Sequence, residues 1–226
     1  MSTLPEWGSV LAIVAHPDDE SFGLGAVLSA FADSGARVHV LCFTRGEAST
    51  LHAVTGDLAT LRADELRSAA AQLGIVDVRL LAFPDGGLAG IDHGVLLADA
   101  LAYAAEVEPD GLIAFDPSGV TGHPDHRAAT AVAAQVATMR AVGMLGWTVP
   151  DSVARALNSE CGSSFSGHAP GDIDITLTVD RTHQRAAVDC HPSQAVPGSV
   201  LWRRLDLLGR LEHLRWLHHA PQEGPS

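Results

Sequence analysis

Two short clusters in the chain gather side chains that bind metals and move protons. The first is Ala15-His16-Pro17-Asp18-Asp19-Glu20 and the second is Gly122-His123-Pro124-Asp125-His126. Imidazole together with carboxylate is the donor set of a catalytic zinc, which takes three protein groups and keeps one position for water. His16 and Asp19 stand three residues apart, as do His123 and His126. At a tight turn or a helix start, that separation can bring both members of a pair to one face. Pro124 suits the first residue of such a helix. Asp18 then falls beside the metal without ligating it, where a general base is needed.

Each cluster also has a plainer reading. A histidine followed by proline at a strand end can cap a turn, and Asp-Asp-Glu ahead of a helix suits the helix dipole. Two such clusters, each at a strand-to-helix junction, are hard to account for in that way.

The elements that must position them come from the apolar pattern. Val10–Ala15 is a continuous β-rich run, as expected of a strand buried on both faces. Gly25–Ala32 reads as a helix closed by Ser34-Gly35, Val38–Phe43 as a strand, and Leu58–Leu73 as a helix ending at Gly74. Val78–Phe83 follows as a strand, Val95–Val107 as a helix, Gly111–Phe115 as a strand and His123–Met139 as a helix. This alternation predicts an α/β fold, a Rossmann-like three-layer α/β/α sandwich around a mostly parallel sheet. Right-handed crossovers place the loops after the strands on one edge, where ligands bind in such folds. Both clusters follow strands, so both fall at that edge.

The C-terminal third is less regular. Ser159–Gly171 reads as a loop and Asp174–Val179 as a half-exposed strand. Leu201–Leu217 reads as a helix, with an apolar stripe at Leu201, Leu205, Leu208 and Leu211, and 220–226 as a frayed tail. With no internal repeat or low-complexity linker, the expectation is one domain over residues 1–226.

Composition narrows the function classes. Of the 226 residues 46% are apolar and 18% charged, which is ordinary globular usage. The formal charge of −13 argues against a nucleic-acid binder, which carries a basic stripe. All 14 basic residues are arginines. The segment Met1–Gly8 lacks a basic-then-apolar signal pattern, and no apolar run reaches the ~20 residues of a membrane span. Cys42, Cys161 and Cys190 match no zinc knuckle and cannot all pair within the chain, so a reduced cytoplasmic setting is expected.

The pair of motifs AHPDDE and GHPDH resembles the PIG-L/LmbE-like deacetylases, zinc hydrolases that remove acetyl groups from N-acetylglucosamine conjugates. The resemblance extends over nearly the whole chain. It takes in Thr44-Arg45-Gly46-Glu47, Leu61-Arg62-Ala63-Asp64-Glu65, Phe83-Pro84-Asp85-Gly86 and, late in the chain, His191-Pro192-Ser193-Gln194. It implies His16, Asp19 and His126 as zinc ligands and Asp18 as the base that activates the metal-bound water. It makes His123 the group that stabilises the oxyanion and protonates the leaving amine, with Asp125 orienting a histidine. Arg62 and Asp85 match positions that hold sugar hydroxyls or neighbouring substrate groups, and His191 is expected in the pocket. Other divalent metals fit the same ligand types. Where some relatives carry tyrosine shortly before the second motif, this chain has Thr121.

Other features carry less. Cys190-His191 are sequence neighbours, which rarely make a catalytic pair. Gly23-x-Gly25 lacks the third glycine of a dinucleotide fingerprint. His218-His219 are expected in solvent, and Arg203 and Arg204 on the exposed face of the last helix.

The expected activity is metal-dependent removal of acetyl from a small-molecule N-acetyl amino sugar, with no nucleic-acid partner and with an oligomer left open. Two alternatives stand beside it. One is an amidase of the same mechanism that cleaves a larger acyl or thiol conjugate. The other is a catalytically idle sugar- or nucleotide-binding module, against which the retained base and acid argue.

Overall fold

The computed structural model describes residues 3–51 and 56–220, so all but the first residue of the tail expected over 220–226 lies outside the described residues. The first half runs β1 (Ser9–Val14), α1 (Asp19–Phe22), α2 (Gly25–Asp33), β2 (Arg37–Thr44), α3 (Leu58–Gln72), β3 (Ile75–Phe83), α4 (His93–Val107), β4 (Gly111–Phe115) and α5 (Pro124–Arg140). The second half runs β5 (Gly143–Pro150), α6 (Asp151–Cys161), β6 (Gly167–His168), β7 (Ile175–Thr178), α7 (Thr182–Asp189), α8 (Val200–Leu208) and β8 (Leu211–His218).

The strands form one sheet in the order β3-β2-β1-β4-β5-β8-β7, with β6 beside β5. Pairing is parallel from β3 through β5, whereas β8 runs antiparallel to both β5 and β7. Successive residues of β1 point to opposite faces. Val10, Ala12 and Val14 meet Val27, Leu28 and Phe31 of α2 and Leu157 of α6. Leu11 and Ile13 meet Leu96 and Tyr103 of α4 and Val132 of α5. Helices therefore cover both faces, which is the three-layer sandwich expected from sequence.

The chain winds one way through β1, β2 and β3 and the other way through β4 and β5. Its topological switch point lies between the adjacent strands β1 and β4. A crevice opens at the carboxyl ends of strands at such a point. Both chemical motifs leave the sheet there.

The last helix expected from sequence is corrected. Leu201–Leu217 is not one helix: α8 stops at Leu208, Gly209 turns the backbone at φ 56°, and residues 211–218 form β8 on the open edge of β5. An unpaired strand edge is a row of unmet hydrogen-bonding groups, and that demand outweighs the helical spacing of Leu211. The expected Ser159–Gly171 loop is also shorter, since α6 runs to Cys161 and β6 takes Gly167–His168.

A buried polar knot joins this C-terminal unit to the sheet. Glu212 accepts hydrogen bonds from Trp147 Nε1 at 2.7 Å and from Arg181 Nη1. Breaking a buried pair from one side leaves its partner uncompensated. Glu212→Ala is therefore expected to cost about 3–5 kcal/mol of stability in urea unfolding. A loss below about 1 kcal/mol would show that the knot does not hold the sheet edge.

Candidate active site

The two motifs are built by local hydrogen bonding before any ligand is considered. At the end of β1 the backbone N–H groups of Ala15 and His16 donate to Asp19 Oδ2 at 3.1 and 2.9 Å, which folds the chain directly into α1. Beyond β4 the loop passes through three left-handed positions, Gly119, Val120 and Gly122. His123 then caps α5: its Nδ1 accepts the Asp125 N–H at 3.2 Å, and Pro124 opens the helix as expected.

Together these turns bring three imidazoles into a triangle. Ring centroids lie 4.8 Å apart for His16 and His123, 5.2 Å for His16 and His126, and 4.8 Å for His123 and His126. The carboxylate of Asp19 stands at this triangle, with Oδ1 3.2 Å from His126 Nε2 and Oδ2 3.7 Å from His16 Nδ1.

The outer nitrogens fix which atoms face inward. His126 Nδ1 lies 3.2 Å from the Gly119 carbonyl, which can only accept, so Nδ1 carries hydrogen and Nε2 is free as a donor atom. His16 Nε2 lies 3.1 Å from Asp85 Oδ1 and 3.4 Å from Asp125 Oδ2, leaving Nδ1 turned toward Asp19. Asp125 is fully buried and accepts the Gly86 and Leu88 amides at 2.8 and 3.1 Å, so its carboxylate is held rigidly against His16. This is the carboxylate–histidine support usual behind metal ligands.

Among the described residues two groupings of donor atoms lie close enough to share an ion: His16 with His123 and His126, and His16 with Asp85 and Asp125. His16, Asp19 and His126 make a better-supported set chemically, because each of the three is oriented by a hydrogen bond on its far side. Their two imidazoles and one carboxylate fit a zinc that keeps an open position.

Charge in the cluster points the same way. Burial alone would pull the His16 pKa down, but hydrogen bonds to Asp125 and Asp85 and the charges of Asp19 and Asp18 push it up to about 10. Asp19 resists its own burial because His126 and His16 hold it well below the usual carboxylate range. The acids thus call for a cation, and a divalent metal can meet that call by displacing protons. Asp125→Ala removes the support behind His16 and is expected to weaken zinc binding by about 10–100-fold in competition with a chelator dye. Unchanged affinity would remove Asp125 from the metal site.

Asp18 differs from its neighbour. Burial raises its pKa to about 6 against the opposing charge of Arg62. Its backbone sits at φ 132°, a strained value for a non-glycine residue. The strain is held from behind: the Asp18 N–H donates to Glu20 Oε2 at 2.9 Å, and Glu20 Oε1 lies 2.7 Å from His191 Nε2. On the other side Arg62 Nη2 donates to Asp18 Oδ2 at 2.9 Å, while Nη1 donates to the Gly46 carbonyl at 2.7 Å. A Cβ at Gly46 would fall 2.0 Å from Arg62, so the glycine is what lets the guanidinium reach across.

These contacts change two of the expected roles. His191 is not a pocket residue: it is fully buried on Glu20 and Glu65, and Gln194 is the member of its motif that lines the cavity. Arg62 does line the cavity, yet it donates to the Gly46 and Pro17 carbonyls and to Asp18, so it holds the Asp18 carboxylate in place. Asp85 lines the cavity and is shared between His16 and the Ala48 amide. Thr121 lines it as well. Cys42, Cys161 and Cys190 are free thiols, and none lines this cavity.

The cavity has a volume of about 530 Å³ and two unlike walls. Ser49, Arg62, Asp85 and Gln194 make one side polar, and Phe22, Phe115, Trp147 and Phe165 make the other aromatic. Arg204 also lines it and is 8% exposed, which corrects its expected place on the outer face of the last helix. Arg203 does face outward, paired with Glu160. The spacing held the signal: Arg204 lies three residues after Leu201 and four before Leu208, on the buried stripe.

Comparison with known proteins places this arrangement. The family model for PIG-L, GlcNAc-PI de-N-acetylase, matches residues 11–137. A 1D-myo-inositol 2-acetamido-2-deoxy-alpha-D-glucopyranoside deacetylase of Streptomyces avermitilis is 36% identical over 235 residues, covering 91% of this chain and 79% of the relative. The N,N'-diacetylchitobiose deacetylase structure from Pyrococcus horikoshii matches with a TM-score of 0.69 at 21% identity, over 94% of this chain and 84% of the other. The 4-carboxy-2-hydroxymuconate hydratase structure from Pseudomonas putida matches with a TM-score of 0.67 at 17% identity, over 96% of this chain and 99% of the other. A hydratase on this architecture means that the fold alone does not choose the reaction.

Proposed function

Because the chain belongs to the PIG-L, GlcNAc-PI de-N-acetylase, family, we propose that it is a zinc-dependent hydrolase that removes acetyl from a small-molecule N-acetylglucosamine-type substrate. One observation carries this reading. The motifs after β1 and β4 converge on one cavity, and Asp18 stands there as a carboxylate that the candidate ligand set does not need. A site that only bound sugar would have no use for a strained, half-buried base.

The roles follow from the contacts. His16, Asp19 and His126 hold the metal. Zinc, when bound, supplies a Lewis acid for the amide carbonyl and can bring the pKa of water to about 7. Asp18 takes a proton from the attacking water, while Arg62 holds its Oδ2 in place. Neutral His123 must carry its hydrogen on Nε2, because Nδ1 accepts the Asp125 amide. Burial and the nearby His126 and His16 hold its pKa below the usual histidine value, which favours that neutral form. Its Nε2–H therefore donates to the oxyanion as the tetrahedral carbon forms. As the C–N bond breaks, the nitrogen takes the proton that Asp18 received from the water, while His123 Nε2–H holds the oxygen until the carbonyl re-forms. The products are acetate and a free amine.

The polar wall of Ser49, Arg62, Asp85 and Gln194 suits sugar hydroxyls. The aromatic wall favours a second reading with the same mechanism, in which the acyl group or aglycone is larger than acetyl or a simple sugar. No helix among the described residues is long and apolar enough to cross a membrane, and the free thiols fit a reducing compartment such as the cytoplasm.

The test is amine release from a panel of N-acyl glucosaminides, including N-acetylglucosaminyl-inositol and longer acyl chains. Release from acetyl compounds supports the deacetylase. Release confined to longer acyl chains moves the reading to the amidase, and no release from any member overturns both.

A further inference from the structure

Arg204 is a buried cation with no ion-paired carboxylate among the described residues. It lies on α8 among Leu201, Leu205 and Leu208 and lines the same cavity as Asp18 and His126. Its Nη2 donates to the Phe22 carbonyl, its guanidinium carbon sits 5.1 Å over the Trp147 ring, and its Nε has no hydrogen-bond partner among the described residues. Two buried acids act on it from a distance: Glu212, already engaged by Arg181 and by Trp147 Nε1, and Asp19, held by His126 and His16. Arg181 takes the ion pair with Glu212, and Arg204, equally buried, forms none among the described residues. Burial pulls the Arg204 pKa down to about 10, which leaves it charged at neutral pH.

Holding the Phe22 carbonyl needs a donor and not a charge, and burying an unpaired charge is costly. An anion arriving in the cavity would remove that cost. The route to Arg204 is apolar and continuous. The Phe115 ring lies 4.7 Å from the His126 ring and 5.6 Å from Trp147, and Trp147 lies under Arg204. Gly23 leaves this wall its room, since a Cβ there would fall 2.3 Å from Phe115.

We propose that this aromatic wall, ending at Arg204, is a subsite for an acidic group, carboxylate or phosphate, carried on an apolar arm of the substrate. The proposal rests on the deacylase reading of the same cavity and narrows its substrate class to acidic N-acyl amino-sugar conjugates.

The test compares kcat/KM within matched pairs on zinc-loaded protein. One set is N-acetylglucosaminides with an alkyl aglycone against the same arm ending in carboxylate or phosphate; the other is N-butyryl- against N-succinyl-glucosamine. In at least one pair the acidic member is expected to lead by about 10–100-fold, the worth of a hydrogen-bonded charge. That ratio is expected to fall to about one in Arg204→Met and to persist in part in Arg204→Lys. Thermal unfolding checks that both variants fold, and the lysine variant reads the charge if the methionine variant does not. A wild-type ratio at or below one in every pair, or a ratio that survives Arg204→Met, overturns the subsite. Calorimetric binding of the acidic and neutral amine products reads the same ratio without turnover. Failure of amide cleavage therefore counts against the deacylase, while the binding ratio still decides the subsite.

Discussion

Asp18→Asn is expected to keep zinc bound at one per chain while lowering kcat by about 10²–10⁴-fold, the contribution typical of a positioned base. The replacement keeps the shape and the oxygen that Arg62 holds at 2.9 Å, but an amide cannot take a proton from water. The strained backbone at Asp18 is set by Glu20, to which its N–H donates, and not by the side chain being changed. Metal and turnover should therefore separate. Amine release gives kcat, and metal analysis after gel filtration gives the stoichiometry. If zinc is lost along with activity, Asp18 is a ligand and the division of labour between it and Asp19 is wrong.

His126→Ala is expected to have the opposite signature, with zinc affinity falling by more than the ~100-fold typical of losing a supporting group. The ring is placed to ligate: Nε2 lies 3.2 Å from Asp19 Oδ1 and Nδ1 is tied to the Gly119 carbonyl. His123→Ala is the necessary partner experiment, because His123 also brings a nitrogen within 4.8 Å of those of His16 and His126. If Asp19 completes the ligand set, removing His123 lowers kcat and leaves zinc affinity within a few-fold. If the three imidazoles are the set, His123→Ala strips the metal as His126→Ala does. Chelator competition on both variants separates the two.

What could be read from residues alone follows from where the signals were local. The strands β1, β2 and β4 are buried on both faces, so their apolar runs stand out. The first motif sits directly at the end of β1, and the second follows β4 after a short glycine-bearing loop. Parallel winding then places both on one edge without any coordinates. That β1 and β4 are neighbours at the switch point depends on strand order, which no local pattern encodes.

The misses share a cause in long-range contacts. Residues 211–218 continue the helical spacing of α8, and only the turn at Gly209 and the open edge of β5 make them a strand. His191 reads as a pocket residue by motif, but its partner Glu20 lies 171 positions away in sequence and draws it behind Asp18. Arg204 was hidden by residue type: an arginine on an apolar stripe looks like an exposed one until its neighbours are known.

The measurement that bears most directly on the central claim is a zinc titration of the stripped protein, following amine release from an N-acetylglucosaminide that the native enzyme cleaves. No turnover is expected without metal, followed by a linear rise that levels off at one zinc per chain. Turnover that persists in the stripped protein, or that ignores added zinc while the metal binds, would contradict it.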